Sequence, residues 1–227
     1  MNITKDDIRG RLDVAILSPT ATVAEMEALA KTVVDERFGF LCVNSLYAKR
    51  ASELLKGSGS KVVACVGFPH GTVKTALKVA ETEQCISDGA QEIDMVLAIG
   101  ALKGNDRKTA EDDVRAVVKA AAGAPVKVII ETPLLSYAQK IEASKLVQDA
   151  GAAFVKTCSG TTPDPLALYE DIRLIRQTVG PQMGIKASGR VGNYFRFTSM
   201  LEAGATRVGL VLEQAREILR GWDEANR

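Results

Sequence analysis

The sequence predicts an α/β fold in which eight parallel strands alternate with helices and close into one (β/α)8 barrel. Short apolar runs rich in Val, Ile and Ala recur along the 227 residues, and segments with apolar residues three and four positions apart separate them. The apolar runs are nearly continuous instead of alternating, which is typical of parallel strands covered on both faces. This alternation of strands and helices over this length favours a compact barrel, with a doubly wound open sheet as the alternative.

The predicted strands follow one another at regular intervals. They cover LDVAI (12–16), FLCVN (40–44), KVVACVGF (61–68), EIDMVLAI (92–99), VKVIIET (126–132), AAFVKTC (152–158), MGIKAS (183–188) and TRVGLV (206–211). The helical segments between them cover 23–37, 73–89, 110–123, 137–151, 165–180 and 193–205. Several helices end at a glycine, as a left-handed C-terminal residue requires, at Gly89, Gly123, Gly151, Gly180 and Gly204. No linker or charge block interrupts the pattern, so we predict a single domain over residues 1–227.

The composition argues against several functional classes. A net charge of +1 predicts no basic surface for nucleic acid, and 5% aromatic residues are too few for a base-stacking platform. No apolar stretch approaches the length of about 18 residues expected for a membrane span, and the start MNITKDDIRG is unlike a signal peptide. We therefore expect a cytoplasmic protein with no nucleic-acid or membrane partner.

Cysteine and histidine usage argues against a metal centre. The chain has four cysteines without C-x-x-C spacing, at Cys42, Cys65, Cys85 and Cys158. Three of them lie in or beside strand-like runs, where a reduced cysteine behaves as a small apolar residue. His70 is the only histidine, which disfavours both a histidine-based zinc site and a Ser-His-Asp triad. We expect no metal and no cofactor.

Polar residues accumulate where a barrel carries its chemistry, at the carboxyl ends of the strands. They are Asp13, Cys42, Asn44, Asp94, Lys127, Glu131, Thr132, Lys156, Thr157, Ser159, Lys186 and Ser188. Three lysines and two aspartates inside strand runs are more than a passive core contains. Paired Lys and Glu also fill barrel interiors, so each residue taken alone has a structural reading as well.

Lys156 and Lys186 together favour a catalytic reading. They lie on consecutive predicted strands, so their ammonium groups approach each other, and both burial and a second ammonium lower a lysine pKa. A neutral lysine attacks carbonyls and forms a Schiff base. Asp94, on the fourth predicted strand, is placed to hold the second lysine or to relay a proton through water. These residues predict imine chemistry that makes or breaks a carbon–carbon bond.

Seven motifs resemble those of the deoxyribose-phosphate aldolase family, in its order and spacing from about residue 11 to residue 209: SPTAT, FLCVN, VGFPHG, GAQEIDMVLAIGALK, VKVIIET, GAAFVKTCSG and GIKASG. The resemblance implies a metal-independent class I aldolase that reversibly cleaves 2-deoxyribose 5-phosphate to acetaldehyde and glyceraldehyde 3-phosphate. It implies that Lys156 forms the Schiff base, Lys186 perturbs Lys156, and Asp94 is the acid/base partner.

The resemblance also implies a substrate-binding set. Its members are Asp13, Cys42, Lys127, Ser159, Gly160, Gly189 and Arg190. Within this set the resemblance gives Lys127 a supporting place in the polar network. A homodimer through the outer helices is common for such barrels, although nothing in the sequence specifies it.

The chain departs from the family pattern where barrels commonly seat phosphate. The departures are DVA at 13–15 in place of a polar triplet, Arg190 in place of a second glycine, GLVLEQ at 209–214 in place of small and hydroxyl residues, and Thr161 in place of a lysine. We expect a weakened phosphate site, with a different or unphosphorylated aldehyde as the alternative substrate. Arg190 either grips an anion in compensation or faces solvent.

Two other functional hypotheses remain from the sequence. One is a non-catalytic barrel retained for binding, which the costly buried charges at Asp94, Lys156 and Lys186 argue against. The other is a Schiff-base barrel that releases pyruvate or dihydroxyacetone phosphate. The donor that can be trapped on Lys156, acetaldehyde or a larger ketone, distinguishes these enzymes.

Overall fold

The computed structural model describes residues 3–227 and shows a closed barrel of eight parallel strands in chain order. The strands are Leu12–Ile16 (β1), Phe40–Asn44 (β2), Lys61–Val66 (β3), Glu92–Val96 (β4), Val126–Ile129 (β5), Phe154–Lys156 (β6), Gly184–Ser188 (β7) and Arg207–Leu210 (β8). β8 pairs with β1 and closes the sheet. The predicted (β/α)8 barrel is confirmed, and the open sheet is wrong.

The described part of the chain contains ten α-helices. They are Lys5–Arg9 (α1), Val23–Asp35 (α2), Ala48–Leu55 (α3), Thr75–Ser87 (α4), Ile99–Lys103 (α5), Arg107–Ala120 (α6), Tyr137–Asp149 (α7), Tyr169–Val179 (α8), Tyr194–Ala203 (α9) and Leu212–Ala225 (α10). The six predicted helical segments correspond to α2, α4, α6, α7, α8 and α9. The five glycines predicted to end helices all have positive φ. No helix within residues 3–227 combines the length and the apolar character that crossing a membrane requires.

Several predicted strands are longer than the strands in the structure. The runs at 92–99, 126–132 and 152–158 end as strands at Val96, Ile129 and Lys156. The apolar residues that follow the first two, Leu97 and Ile130, are fully buried, and their amides still donate to the carbonyls of Ile129 and Lys156 at 3.0 Å. Apolar content therefore marks burial past the last residue of a strand.

The barrel wall separates two different interiors because successive strand residues point to opposite faces. Outward-facing residues such as Val14, Leu41 and Val128 belong to the large apolar core between strands and helices. Inside the barrel, a small apolar cluster of Phe40, Cys42, Val63 and Cys65 occupies the side formed by β2 and β3. Charged residues occupy much of the remaining interior.

A buried ion pair ties the helical layer to the strand that carries Asp94. Lys78 on α4 is fully buried, and its Nζ donates to Asp113 Oδ2 on α6 at 2.5 Å. The same Nζ donates to the backbone carbonyl of Val96, at the end of β4, at 2.9 Å. Thr75 Oγ1 donates to the other Asp113 oxygen at 2.8 Å. The end of β4 is thereby held from outside the barrel.

We expect Lys78→Met to lower the free energy of unfolding by about 3–5 kcal/mol, because the Asp113 carboxylate is left buried without its cation. Urea denaturation measures this loss. The double variant Lys78→Met/Asp113→Leu removes both charges and should recover much of it. A double variant no more stable than Lys78→Met would contradict this explanation.

Candidate active site

Seven charged side chains meet inside the barrel and are all buried: Asp13, Glu92, Asp94, Lys127, Lys156, Lys186 and Arg207. Five of them were singled out from the sequence, and Glu92 and Arg207 were not. Both missed residues carry a sequence signal. Glu92 lies two positions before Asp94, so strand periodicity places both on one face, and Arg207 interrupts an otherwise apolar run. Attention to carboxyl strand ends alone missed them.

Asp94 is the centre of this group. Its Oδ2 accepts hydrogen bonds from Lys156 Nζ at 2.6 Å and from Lys186 Nζ at 2.7 Å. Its Oδ1 accepts from Lys127 Nζ at 3.0 Å. Burial raises the pKa of this carboxyl, but the three ammonium groups outweigh burial and hold the pKa well below its usual range. Asp94 is therefore a carboxylate shared among three cations.

From Asp94 the contacts continue through Lys186 toward the first and last strands. Lys186 Nζ also donates to Asp13 Oδ2. The other Asp13 oxygen accepts from Arg207 Nη1 at 2.7 Å. The Arg207 guanidinium lies over the Phe40 ring, 3.4 Å from its centroid, which fixes its plane.

The second path from Asp94 runs through Lys127 and meets the first. Lys127 Nζ lies 2.6 Å from Glu92 Oε2, and Glu92 Oε1 lies 3.3 Å from Arg207 Nη2. The contacts thus close on themselves. We call the six residues of this circuit the charge ring: Asp13, Lys186, Asp94, Lys127, Glu92 and Arg207.

Lys156 is the unmatched charge of the site. The charge ring holds three carboxylates and three cations, so its formal charges cancel. Lys156 joins it only at Asp94 and adds a fourth cation. When Lys156 loses its proton, the buried group becomes formally neutral.

The expected lowering of the Lys156 pKa is wrong for this structure. Burial lowers the pKa and Lys186 lowers it further, but the Asp94 carboxylate outweighs both, so the pKa lies above its ordinary value. Lys186 behaves in the same way, because Asp13 and Asp94 outweigh burial and raise its pKa. The carboxylates around both lysines therefore favour their charged forms.

A cavity of about 360 Å³ opens above this group, at the carboxyl ends of the strands. It brings together eight of the predicted site residues: Asp13, Cys42, Lys156, Ser159, Gly160, Lys186, Gly189 and Arg190. Asp94 and Lys127 do not line it and are fully buried. The resemblance places Lys127 in the substrate-binding set with a supporting part in its polar network, and in the structure it lies in that network, away from the cavity. Its ammonium is directed to Glu92 and Asp94, so it supports Asp94 within the buried network.

The outer end of the cavity differs from its base. Arg190 has a φ of 53° and pairs with Asp164 at 3.2 Å, with side-chain exposures of 58% and 75%. Apolar side chains line this end, including Leu17, Leu210 and Val211. α10 begins beside it without a side-chain cap. Arg190 thus faces both cavity and solvent, with part of its charge offset by Asp164.

Buried hydrogen bonds fix the loops that follow the two lysines. Glu131 adopts the left-handed conformation with a φ of 53°, is 2% exposed, and accepts the Ser159 amide on both oxygens at 3.2 Å. Thr157 Oγ1 donates to the Ser188 carbonyl at 2.8 Å and accepts from its amide at 2.9 Å. The wall of the cavity is therefore cross-linked between β5, β6 and β7.

Two cysteines lie beside Asp94. Cys42 Sγ is 3.8 Å from Cys65 Sγ and 3.9 Å from Asp94 Oδ2, and all four cysteines of the chain are free and buried. Among residues 3–227, no group of three or more His, Cys, Asp and Glu side chains is arranged to hold a metal ion. The site offers amines and carboxylates for its chemistry.

Comparisons with known proteins point to one family. Residues 10–210 match the family model described as DeoC/LacD family aldolase. The chain is 44% identical over 198 residues to deoxyribose-phosphate aldolase of Staphylococcus epidermidis, covering 87% of this chain and 90% of the relative. It is 47% identical over 199 residues to deoxyribose-phosphate aldolase 1 of Bacillus licheniformis, covering 87% and 89%.

Solved structures resemble the whole barrel. One titled "QR15, an Aldolase" has a TM-score of 0.90 and 31% identity, covering 97% of each chain. The tetrameric deoxyribose phosphate aldolase of Aeropyrum pernix has a TM-score of 0.88 and 27% identity, covering 97% of this chain and 92% of the other.

We expect Lys186→Leu to make Lys156 less reactive at neutral pH. Lys186 lowers the Lys156 pKa, so its removal should raise that pKa further and move the reaction with a small aldehyde to higher pH, by about one unit. The pH dependence of reductive alkylation of Lys156 under borohydride measures the shift. Lys186→Arg keeps the charge and is the control, with a profile close to that of the unmodified protein. If the profiles of the Leu variant and the unmodified protein superimpose, Lys186 does not influence the Lys156 pKa and this explanation is wrong.

Proposed function

Because the chain belongs to the DeoC/LacD aldolase family, we propose that it is a class I aldolase acting through a Schiff base on Lys156. In this proposal it reversibly cleaves 2-deoxyribose 5-phosphate to acetaldehyde and glyceraldehyde 3-phosphate. One observation carries the proposal: the Lys156 amine lines a cavity and lies 2.6 Å from a carboxylate that can take its proton. The names of the relatives support the substrate.

Schiff-base formation needs two protons to move from nitrogen to oxygen. The Lys156 ammonium and the sugar aldehyde become an iminium and water, so two of the three ammonium protons leave with the carbonyl oxygen. Asp94 Oδ2 is in contact with both Lys156 and Lys186, at 2.6 and 2.7 Å. It can accept a proton from Lys156 while Lys186 donates one to the departing hydroxyl. The net step takes no proton from solvent.

Carbon–carbon cleavage uses the iminium as the electron sink. The C3 hydroxyl loses its proton, the C2–C3 bond breaks, and its electron pair forms an enamine as glyceraldehyde 3-phosphate departs. Lys186 lines the cavity and is left as a neutral amine once it has given its proton to the departing hydroxyl, so it can accept the C3 hydroxyl proton. The same group can return a proton to C2. Hydrolysis of the resulting iminium releases acetaldehyde and restores Lys156.

A second candidate function keeps the reaction and changes the acceptor. The outer end of the cavity carries Leu210 and Val211, and the charge of Arg190 is shared with Asp164. These features suit an unphosphorylated or more apolar aldehyde better than a phosphate dianion. The two candidates differ only in what binds at this end.

We also propose a cytoplasmic homodimer. Free, buried cysteines suit a reducing compartment. Large apolar side chains are exposed near the starts of outer helices, as at Tyr137 on α7 and Phe195 on α9, which favours a protein contact.

Treatment with acetaldehyde and borohydride should add one two-carbon unit to Lys156, as read by peptide mass spectrometry. Lys156→Ala should abolish both the label and turnover, and the surface variant Lys108→Ala should change neither. A label on Lys186 or Lys127 would refute the assignment of the nucleophile. Trapping of pyruvate or dihydroxyacetone phosphate in place of acetaldehyde would indicate a different aldolase.

The two candidate acceptors are separated by the ratio of kcat/KM for 2-deoxyribose 5-phosphate to that for 2-deoxyribose. Each charge-assisted hydrogen bond lost to phosphate costs about 1.5–3 kcal/mol, so two losses reduce the preference by about 10² to 10⁴-fold. We expect a small ratio, which Val211→Ser with Leu212→Ser should increase. Arg190→Ala alone measures what the guanidinium contributes. A preference of about a thousandfold that survives Arg190→Ala would show that backbone amides bind the phosphate and that its site is intact.

A further inference from the structure

We propose that Glu92 and Arg207 are positioning residues: they close the charge ring inside the barrel and fix the charge that surrounds Lys156. The proposal rests on the role of Lys156 in the proposed function. Neither residue lines the cavity, and both are buried, with exposures of 4% and 9%. Their action on the reaction therefore passes through other side chains.

Glu92 competes with Asp94 for the Lys127 ammonium, and Arg207 relieves such competition by pairing with Glu92 and Asp13. Glu92 shares Lys127 with Asp94, at 2.6 and 3.0 Å. Without the Glu92 charge, the Lys127 ammonium pairs with Asp94 alone. The attraction between the Asp94 carboxylate and the Lys156 ammonium is then weaker. Arg207 supplies the second cation of both Asp13 and Glu92. Without Arg207, these acids draw Lys186 and Lys127 away from Asp94, whose charge is then left to Lys156.

The two substitutions should therefore change Lys156 in opposite directions. The ionisable groups that share the barrel interior with Lys156 come from the seven other strands: Asp13 (β1), Cys42 (β2), Cys65 (β3), Glu92 and Asp94 (β4), Lys127 (β5), Lys186 (β7) and Arg207 (β8). In this poorly solvated interior, a change of one charge is weakly screened. With Lys156 protonated, the formal charge of the ring and Lys156 is +1, from four cations and three carboxylates. Loss of Glu92 increases that excess and loss of Arg207 removes it.

The test uses the charge-removing variants Glu92→Gln and Arg207→Gln and the double variant. The pH dependence of Lys156 acetylation by acetic anhydride, read by peptide mass spectrometry, reports its protonation without any substrate. We expect the profile of Glu92→Gln to move to lower pH by about one unit, and that of Arg207→Gln to move to higher pH by a similar amount. The double variant loses one acid and one cation, so the formal charge of the group is unchanged. Its profile should therefore lie close to that of the unmodified protein.

Charge-preserving variants keep the proposal testable if a Gln variant fails to fold. Glu92→Asp and Arg207→Lys retain the formal charge of the ring, so their profiles should stay near that of the unmodified protein while kcat falls and KM changes little. Shifts in the same direction for both Gln variants, no shift in either, or a shifted profile in the charge-preserving pair would overturn the proposal.

Failure of the proposed function gives a different result. If acetaldehyde and borohydride do not label Lys156 in the unmodified protein, the aldolase proposal fails. The opposite acetylation shifts, which involve no aldehyde, still decide whether Glu92 and Arg207 set the charge around Lys156.

Discussion

The Asp94 carboxylate, shared among three lysines, is the interaction on which the site depends. A single buried carboxylate cannot balance three ammonium groups, and three unpaired ammonium groups cannot be buried without a large desolvation cost. The structure resolves this by adding acids and a further cation until the charges alternate around a closed circuit. Lys156 is the one cation that this balance of three acids and three cations leaves unmatched. Its proton is held by one hydrogen-bonded acceptor, and its loss leaves the remaining charges matched.

The fold provides the two environments that this arrangement needs. Outward-facing strand residues are apolar and pack under the helices, which carries the hydrophobic stabilisation of the barrel. Because the outward face supplies this stabilisation, the inward face of the barrel can hold charged residues. Even the helical layer contributes to the site, because Lys78 reaches from α4 to the end of β4 and holds the strand of Asp94 in place.

Much of the barrel could be predicted from the sequence, because continuous apolar runs and helical periodicity are local properties. The ends of β4, β5 and β6 could not be predicted, since residues such as Leu97 and Ile130 are buried beyond the last residue of their strand. Residue types at strand ends identified Lys156, Lys186 and Asp94, but the direction of the Lys156 pKa depends on a 2.6 Å contact between β4 and β6. The depth of Lys127 likewise depends on how the strands are staggered, which spacing along the chain does not give.

The contact between Asp13 and Arg207 has a consequence for how the chain folds. It joins the first and last strands across 194 residues of sequence. A partly assembled barrel that lacks β8 would enclose Asp13 and Glu92 without their shared guanidinium, and one that lacks β1 would leave that guanidinium short of an acid. Such intermediates carry an uncompensated charge whose desolvation opposes partial closure. Contacts this distant in sequence also form slowly. We therefore expect the buried charges to make closure of the barrel a late and cooperative event.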